Sequence, residues 1–112
     1  MLLALNSYIG YTEDKIKKDI AEAYEVDIES LARYQILIAD NEQWDYKESS
    51  WFLLRDINTG KLYENHASHC SCYGYEGQWE PEETSVEYLL SNNSDVSSEY
   101  RQEILDWING TI

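Results

Sequence analysis

Apolar and polar positions alternate with a helical period early in the chain. Ile16, Ile20, Ala23 and Tyr24 share one side, while Lys17, Lys18, Glu22 and Glu25 fall mostly elsewhere, which predicts an amphipathic helix. Thr12 followed by Glu13 and Asp14 marks its start, with a capping hydroxyl and acids where the helix dipole favours them. Asp27 is placed to cap a further short turn through Leu31 and Ala32, so the helical region breaks near Val26. Three apolar runs then predict strands near 34–39, 50–56 and 61–66. Asn58-Thr59-Gly60 supplies turn chemistry between the last two, and a polar loop from Asp40 to Ser50 separates the first two.

Beyond the third strand the periodicity stops. The stretch from Cys72 to Glu83 reads as loop, broken by Gly74, Gly77 and Pro81 yet carrying Tyr73, Tyr75 and Trp79. An aromatic loop of this kind either folds back on the core or serves as a binding surface. Pro81-Glu82-Glu83 resembles the first turn of a helix whose apolar side is Val86, Leu89 and Leu90. A last helix is expected to begin near Asp95 or Ser97, with Tyr100, Ile104, Leu105, Trp107 and Ile108 as its stripe and Gly110 as its stop. The expected fold class is therefore α+β: a three-stranded antiparallel sheet flanked by an N-terminal helix and two C-terminal helices. With no repeat, low-complexity tract or linker, residues 1–112 read as a single acidic domain with a metal-binding loop at 66–80.

The chemistry is concentrated in His66-Ala67-Ser68-His69-Cys70-Ser71-Cys72, which holds both histidines and both cysteines of the chain. Imidazole and thiolate together suit zinc in a structural, four-coordinate site. The expected ligand set is His66, His69, Cys70 and Cys72. In an extended segment His66, Cys70 and Cys72 point one way and His69 the other, so a four-donor site needs a turn. Without His69, a carboxylate from Glu64, Glu76 or Glu80 is the replacement. Two bland readings stand beside the metal. A Cys70–Cys72 bridge is strained, since residues two apart in an extended chain sit near the ~7 Å upper limit for α-carbons. Buried thiols with two ordinary surface histidines need no metal at all.

Charge adds a second constraint. Twenty-two acids against eight bases give a formal net charge of -14, and after Lys61 the only base is Arg101 against ten acids. Such a surface repels phosphate backbones and attracts basic ones, so direct nucleic-acid binding is not expected and a nucleic-acid-binding protein is the natural partner. Solubility alone also accounts for it. No apolar run approaches 18 residues, which argues against a membrane span and a secretory signal, and two cysteines spaced badly for bridging fit a reducing cytoplasm. No glycine-rich phosphate loop, HExxH or nucleophile elbow is present, and the residues after His66 do not match a zinc deaminase. Cys70 or Cys72 beside His69 lacks an orienting third group for thiol catalysis. An enzyme is not expected.

The run from Tyr63 through Thr84, with Glu64, the His66 to Cys72 segment, Tyr73-Gly74, Gln78-Trp79 and Pro81-Glu82-Glu83-Thr84, resembles a family of small phage-borne proteins. With its acidity and its His/Cys knot, the chain is similar to small zinc-binding anti-CRISPR proteins. That resemblance implies a non-enzymatic inhibitor of a type II CRISPR RNA-guided DNA nuclease, acting in the bacterial host cytoplasm as a monomer or weak dimer, with zinc as a structural staple. Such nucleases hold their heteroduplex in basic channels, which gives an anionic plug a seat. The expected partner-binding residues are Tyr75, Trp79, Glu80, Glu82, Glu83 and Glu87. The alternative function is a zinc-stabilised acidic adaptor or regulator of another nucleic-acid-binding protein.

Overall fold

A computed structural model describes residues 2–43, 45–70, 74–91 and 101–111. Five strands form one sheet in the order β1 (Leu3–Asn6), β2 (Tyr34–Gln43), β3 (Lys47–Asp56), β4 (Leu62–Cys70) and β5 (Glu82–Thr84). Only β1 and β2 are parallel; every other neighbouring pair is antiparallel. Helix α1 (Glu13–Ala23) and a single 3-10 turn (Ile28–Leu31) make the crossover from β1 to β2. Helices α2 (Val86–Leu90) and α3 (Arg101–Thr111) follow the sheet.

The helix starts as its sequence dictates. Thr12 Oγ1 accepts from Lys15 N at 3.2 Å, and Glu13 and Asp14 occupy the first turn. Ile16, Ile20 and Tyr24 then bury one face completely or nearly so. Glu25 ends it in the left-handed region (φ +55), with Val26 N returning to Ala21 O at 3.1 Å. Asp27 caps the 3-10 turn through Glu29 N at 3.0 Å.

The sheet buries apolar side chains on both faces. One face packs Ile36, Ala39, Phe52 and Leu54 against Ile16, Ile20 and Tyr24 of the α1 side. The other packs Leu37, Ile38, Trp51, Leu53 and Leu62 against Leu89 of α2 and Ile108 of α3. That double cover explains why β2 and β3 read as unbroken apolar runs. A register shift between Ile36 and Ile38 lets consecutive residues Leu37 and Ile38 both join the second core. No helix among the described residues is long and apolar enough to cross a membrane.

The expected three-stranded antiparallel sheet is thus corrected to a five-stranded mixed one. The three expected strands are its centre, but β1 and β5 extend it at either edge. Leu3–Asn6 is four residues with no alternation, and it earns its place only by pairing with residues 38–41 of β2. The segment Glu82–Thr84 pairs with β4 instead of opening a helix; Ser85 is the true cap, accepting from Tyr88 N at 3.2 Å. The supposed polar loop from Asp40 to Ser50 is mostly strand, because Asp40, Asn41 and Ser50 are buried with polar partners. Residues 66–70, expected in a metal-binding loop, are the last five of β4. The expected start of the final helix near Asp95 or Ser97 lies outside the described residues, and α3 runs past Gly110.

Candidate functional site

Strand alternation sends the two histidines of β4 to opposite faces of the sheet. His66 stands directly across from Trp51, its ring stacked on the indole with centroids 6.2 Å apart at 27°. Glu64, only 7% exposed, reaches both. Its Oε1 accepts from Trp51 Nε1 at 2.9 Å and contacts His66 Nε2 at 3.2 Å. Burial raises the Glu64 carboxyl, but hydrogen bonds from His66, Thr84 and Trp51 outweigh it and hold the group below the usual carboxylate range. The result is an ionised, buried carboxylate with a partly exposed histidine beside it.

His69 joins a different network on the α1 side. Its Nε2 meets Glu48 Oε1 at 2.8 Å, its Nδ1 meets Cys70 O at 2.7 Å, and its ring lies edge-on to Tyr75 at 4.4 Å. Glu48 Oε2 accepts from Asn41 Nδ2 at 2.7 Å, and Asn41 Oδ1 accepts from the Tyr75 hydroxyl at 2.8 Å. Tyr75 stacks on Tyr24 at 4.8 Å, whose hydroxyl bonds Ser50. Burial first, then nearby acidic groups, push the Tyr75 hydroxyl well up, so it stays a donor.

These placements test the expected zinc set. His66 and His69 face apart across the sheet, and the two His69 nitrogens are turned to Cys70 O and Glu48 Oε1. His66 and Cys70 share a face, yet four residues of strand separate their α-carbons by about 13 Å. Of the substitute carboxylates, Glu64 is committed to Trp51 and His66, and Glu76 accepts from Gly74 N at 3.1 Å. Among the described residues no group of three or more His, Cys, Asp or Glu is arranged to hold an ion. Cys72 lies outside the described residues. As placed, the described donors His66, His69 and Cys70 do not converge on one point.

Three of the expected partner-binding residues do come together. Glu80, Glu82 and Glu83 line a cleft of about 660 Å³ at the β5 edge, joined there by Glu64, His66 and Tyr88. Glu82 is the cross-strand neighbour of Glu64, so two carboxylates stand opposite each other on one face, an arrangement that repels unless a cation intervenes. Lys61 approaches Glu83 at 3.5 Å, but both side chains are 60% exposed and the pair contributes little. Glu87 is exposed in the first turn of α2. Tyr75 is 5% exposed and Trp79 packs on Tyr24 and Phe52 at 5.6 and 5.9 Å, so these two aromatics of the loop fold back on the core.

Sequence reading missed two contributors. Trp51 lies in the strand expected at 50–56 with no site role, and Gln78 enters only as part of the motif behind the resemblance. The signal for Trp51 was present: it sits across the hairpin from His66, a pairing fixed once the Asn58-Thr59-Gly60 turn sets the register. Chemically the cleft offers charge-assisted acceptors to a cationic group. Compared with protein-family models, with curated proteins and with solved structures, the chain matches none of them.

Proposed function

We propose that this chain is a non-enzymatic acidic binding protein that seats a basic nucleic-acid-handling surface of a partner protein and blocks it. The sequence resemblance names a type II CRISPR RNA-guided nuclease as that partner. The observation that carries the reading is the cleft at the β5 edge, where Glu64, Glu80, Glu82 and Glu83 converge within a chain of formal net charge -14. A site of this sign favours Lys and Arg clusters, speeds their encounter and excludes phosphate.

Titration of the purified chain into DNA cleavage by the guide-loaded nuclease tests the proposal. Inhibition near equimolar protein, weakening as salt rises, is the expected result. Joint Glu80→Lys, Glu82→Lys and Glu83→Lys substitution should then raise the half-inhibitory concentration by about tenfold or more, given how costly like charges are at an interface. Unaffected cleavage at large excess removes the nuclease as the partner. Full inhibition by the triple variant removes the cleft as the contact surface.

A further inference from the structure

Among the described residues the outer edge of β4 is only partly covered by a strand. β5 pairs with Leu62, Tyr63 and Glu64, and the register ends there. Further along the same edge Ser68 turns both backbone groups outward, and a single side chain takes both. Ser68 N donates to Gln78 Oε1 at 3.0 Å, and Gln78 Nε2 donates to Ser68 O at 2.9 Å. A hydrogen-bonded residue pair in an antiparallel ladder exchanges the same two bonds. A primary amide carries the donor and acceptor of a peptide group, so Gln78 stands where a residue of a further strand would stand. Its hold is light, because Ser68 is exposed and Gln78 only half-buried. Gly77 beside it adopts φ +77, a turn that keeps Gln78 on a surface loop and not in a strand of its own.

We propose that the β4 edge beyond Glu64 is a docking line for an extended, basic segment of the partner, with Gln78 as its displaceable stand-in. Uncovered sheet edges accept strands from other chains, and peptide recognition by strand addition uses main-chain bonds for affinity and alternate side chains for specificity. Charge selects the occupant here. Glu80, Glu82 and Gln78 line the cleft that opens along this edge, so Lys or Arg at alternate positions of an added strand meets carboxylates, and an acidic strand meets repulsion. The inference rests on the reading of the cleft as the seat of a basic partner.

Three synthetic heptapeptides separate the two ideas: alternating Lys and Val, the same peptide N-methylated at alternate amides, and alternating Glu and Val. Binding is followed by amide NMR on the full chain, with hydrogen exchange at Ser68 as the local readout. The Lys peptide should bind, the N-methylated and Glu peptides should not, and Gln78→Ala should bind the Lys peptide about tenfold more tightly than the wild type, since two competing bonds are gone. Ser68 exchange should speed up in Gln78→Ala and slow again with the Lys peptide. Gln78→Met, which keeps the side-chain bulk and loses both bonds, should behave the same way. Equal binding of the plain and N-methylated Lys peptides, indifferent to Gln78, overturns strand addition and leaves the acidic cleft standing. Binding of neither overturns both.

Discussion

The indole N–H of Trp51 donates to Glu64 Oε1 at 2.9 Å from the adjacent strand, fixing a carboxylate that is 7% exposed. A buried charge with one donor removed suffers the desolvation that the bond had offset. Trp51→Phe should therefore lower the unfolding free energy by about 1–3 kcal/mol beyond the loss of ring volume. Adding Glu64→Gln to that variant should recover part of the deficit, because a neutral amide is cheaper to bury. Urea denaturation of the two single variants and the double variant gives the coupling directly. Strict additivity would show that the bond carries no energy.

Asp56 ends β3 and organises the turn that follows. Its Oδ2 accepts from Arg33 Nη2 at 2.6 Å and Nε at 3.2 Å, while Oδ1 accepts from Asn58 N at 2.8 Å and Thr59 N at 3.3 Å. The Arg33 hydrogen bond first, then the Asn58 amide, hold the carboxyl below its ordinary value. A depressed folded pKa means that the unfolded chain takes up the proton first. The stabilisation is therefore complete above the unfolded value of about 3.9 and disappears as pH falls through the folded one. Asp56→Asn should melt lower than the wild type at pH 7, and the two melting temperatures should draw together as pH falls from about 4 through the depressed folded value of Asp56. A gap that persists unchanged to acid pH would separate Asp56 from this linkage.

Local signals carried much of this fold and non-local pairing carried the rest. The Thr12 cap, the Ile16 and Ile20 stripe and the hairpin about Asn58-Thr59-Gly60 are short-range features, and each is where its residues place it. Strand β1 depends on a partner more than thirty residues away in the register Leu3↔Ile38, and its own four residues say nothing of that. Strand β5 was hidden by Pro81 and two glutamates, a pattern that fits a helix start as well as an edge strand. For the site, the clustered His and Cys residues suggested convergence, but β4 continues as strand through Cys70 and alternation sends His66 and His69 apart. The acidic residues at 80, 82 and 83 were legible as a surface; that Glu64 joins them needed the β4–β5 register.

Tyr75 separates a core role from a partner role. Its ring stacks on Tyr24 and its hydroxyl donates to Asn41 Oδ1 at 2.8 Å, both inside the protein. Tyr75→Phe strands that acceptor and should cost about 1–3 kcal/mol. Tyr75→Ala also opens a cavity under the loop and should cost about 3–5 kcal/mol, the range for large aromatic truncations. Binding of a basic partner by folded Tyr75→Phe should match the wild type within twofold. A large affinity loss with unchanged stability would make the Tyr75 hydroxyl a contact group.

His66 and His69 give the sharpest test of the zinc expectation. One bonds Glu64 on the Trp51 face and the other bonds Glu48 on the α1 face. Groups on separate networks contribute independently, so His66→Gln and His69→Gln should add within about 0.3–0.5 kcal/mol. His69→Gln should be the costlier change, since its side chain is 15% exposed against 42% for His66. Two ligands of one ion behave otherwise: losing either empties the site, and the second substitution then costs little more. Chelation belongs to the same experiment, and a melting curve unchanged by it is the expected companion of additivity. A zinc equivalent released together with stability, and strongly non-additive histidines, would mean that His66 to Cys72 wraps an ion in place of the strand that runs to Cys70.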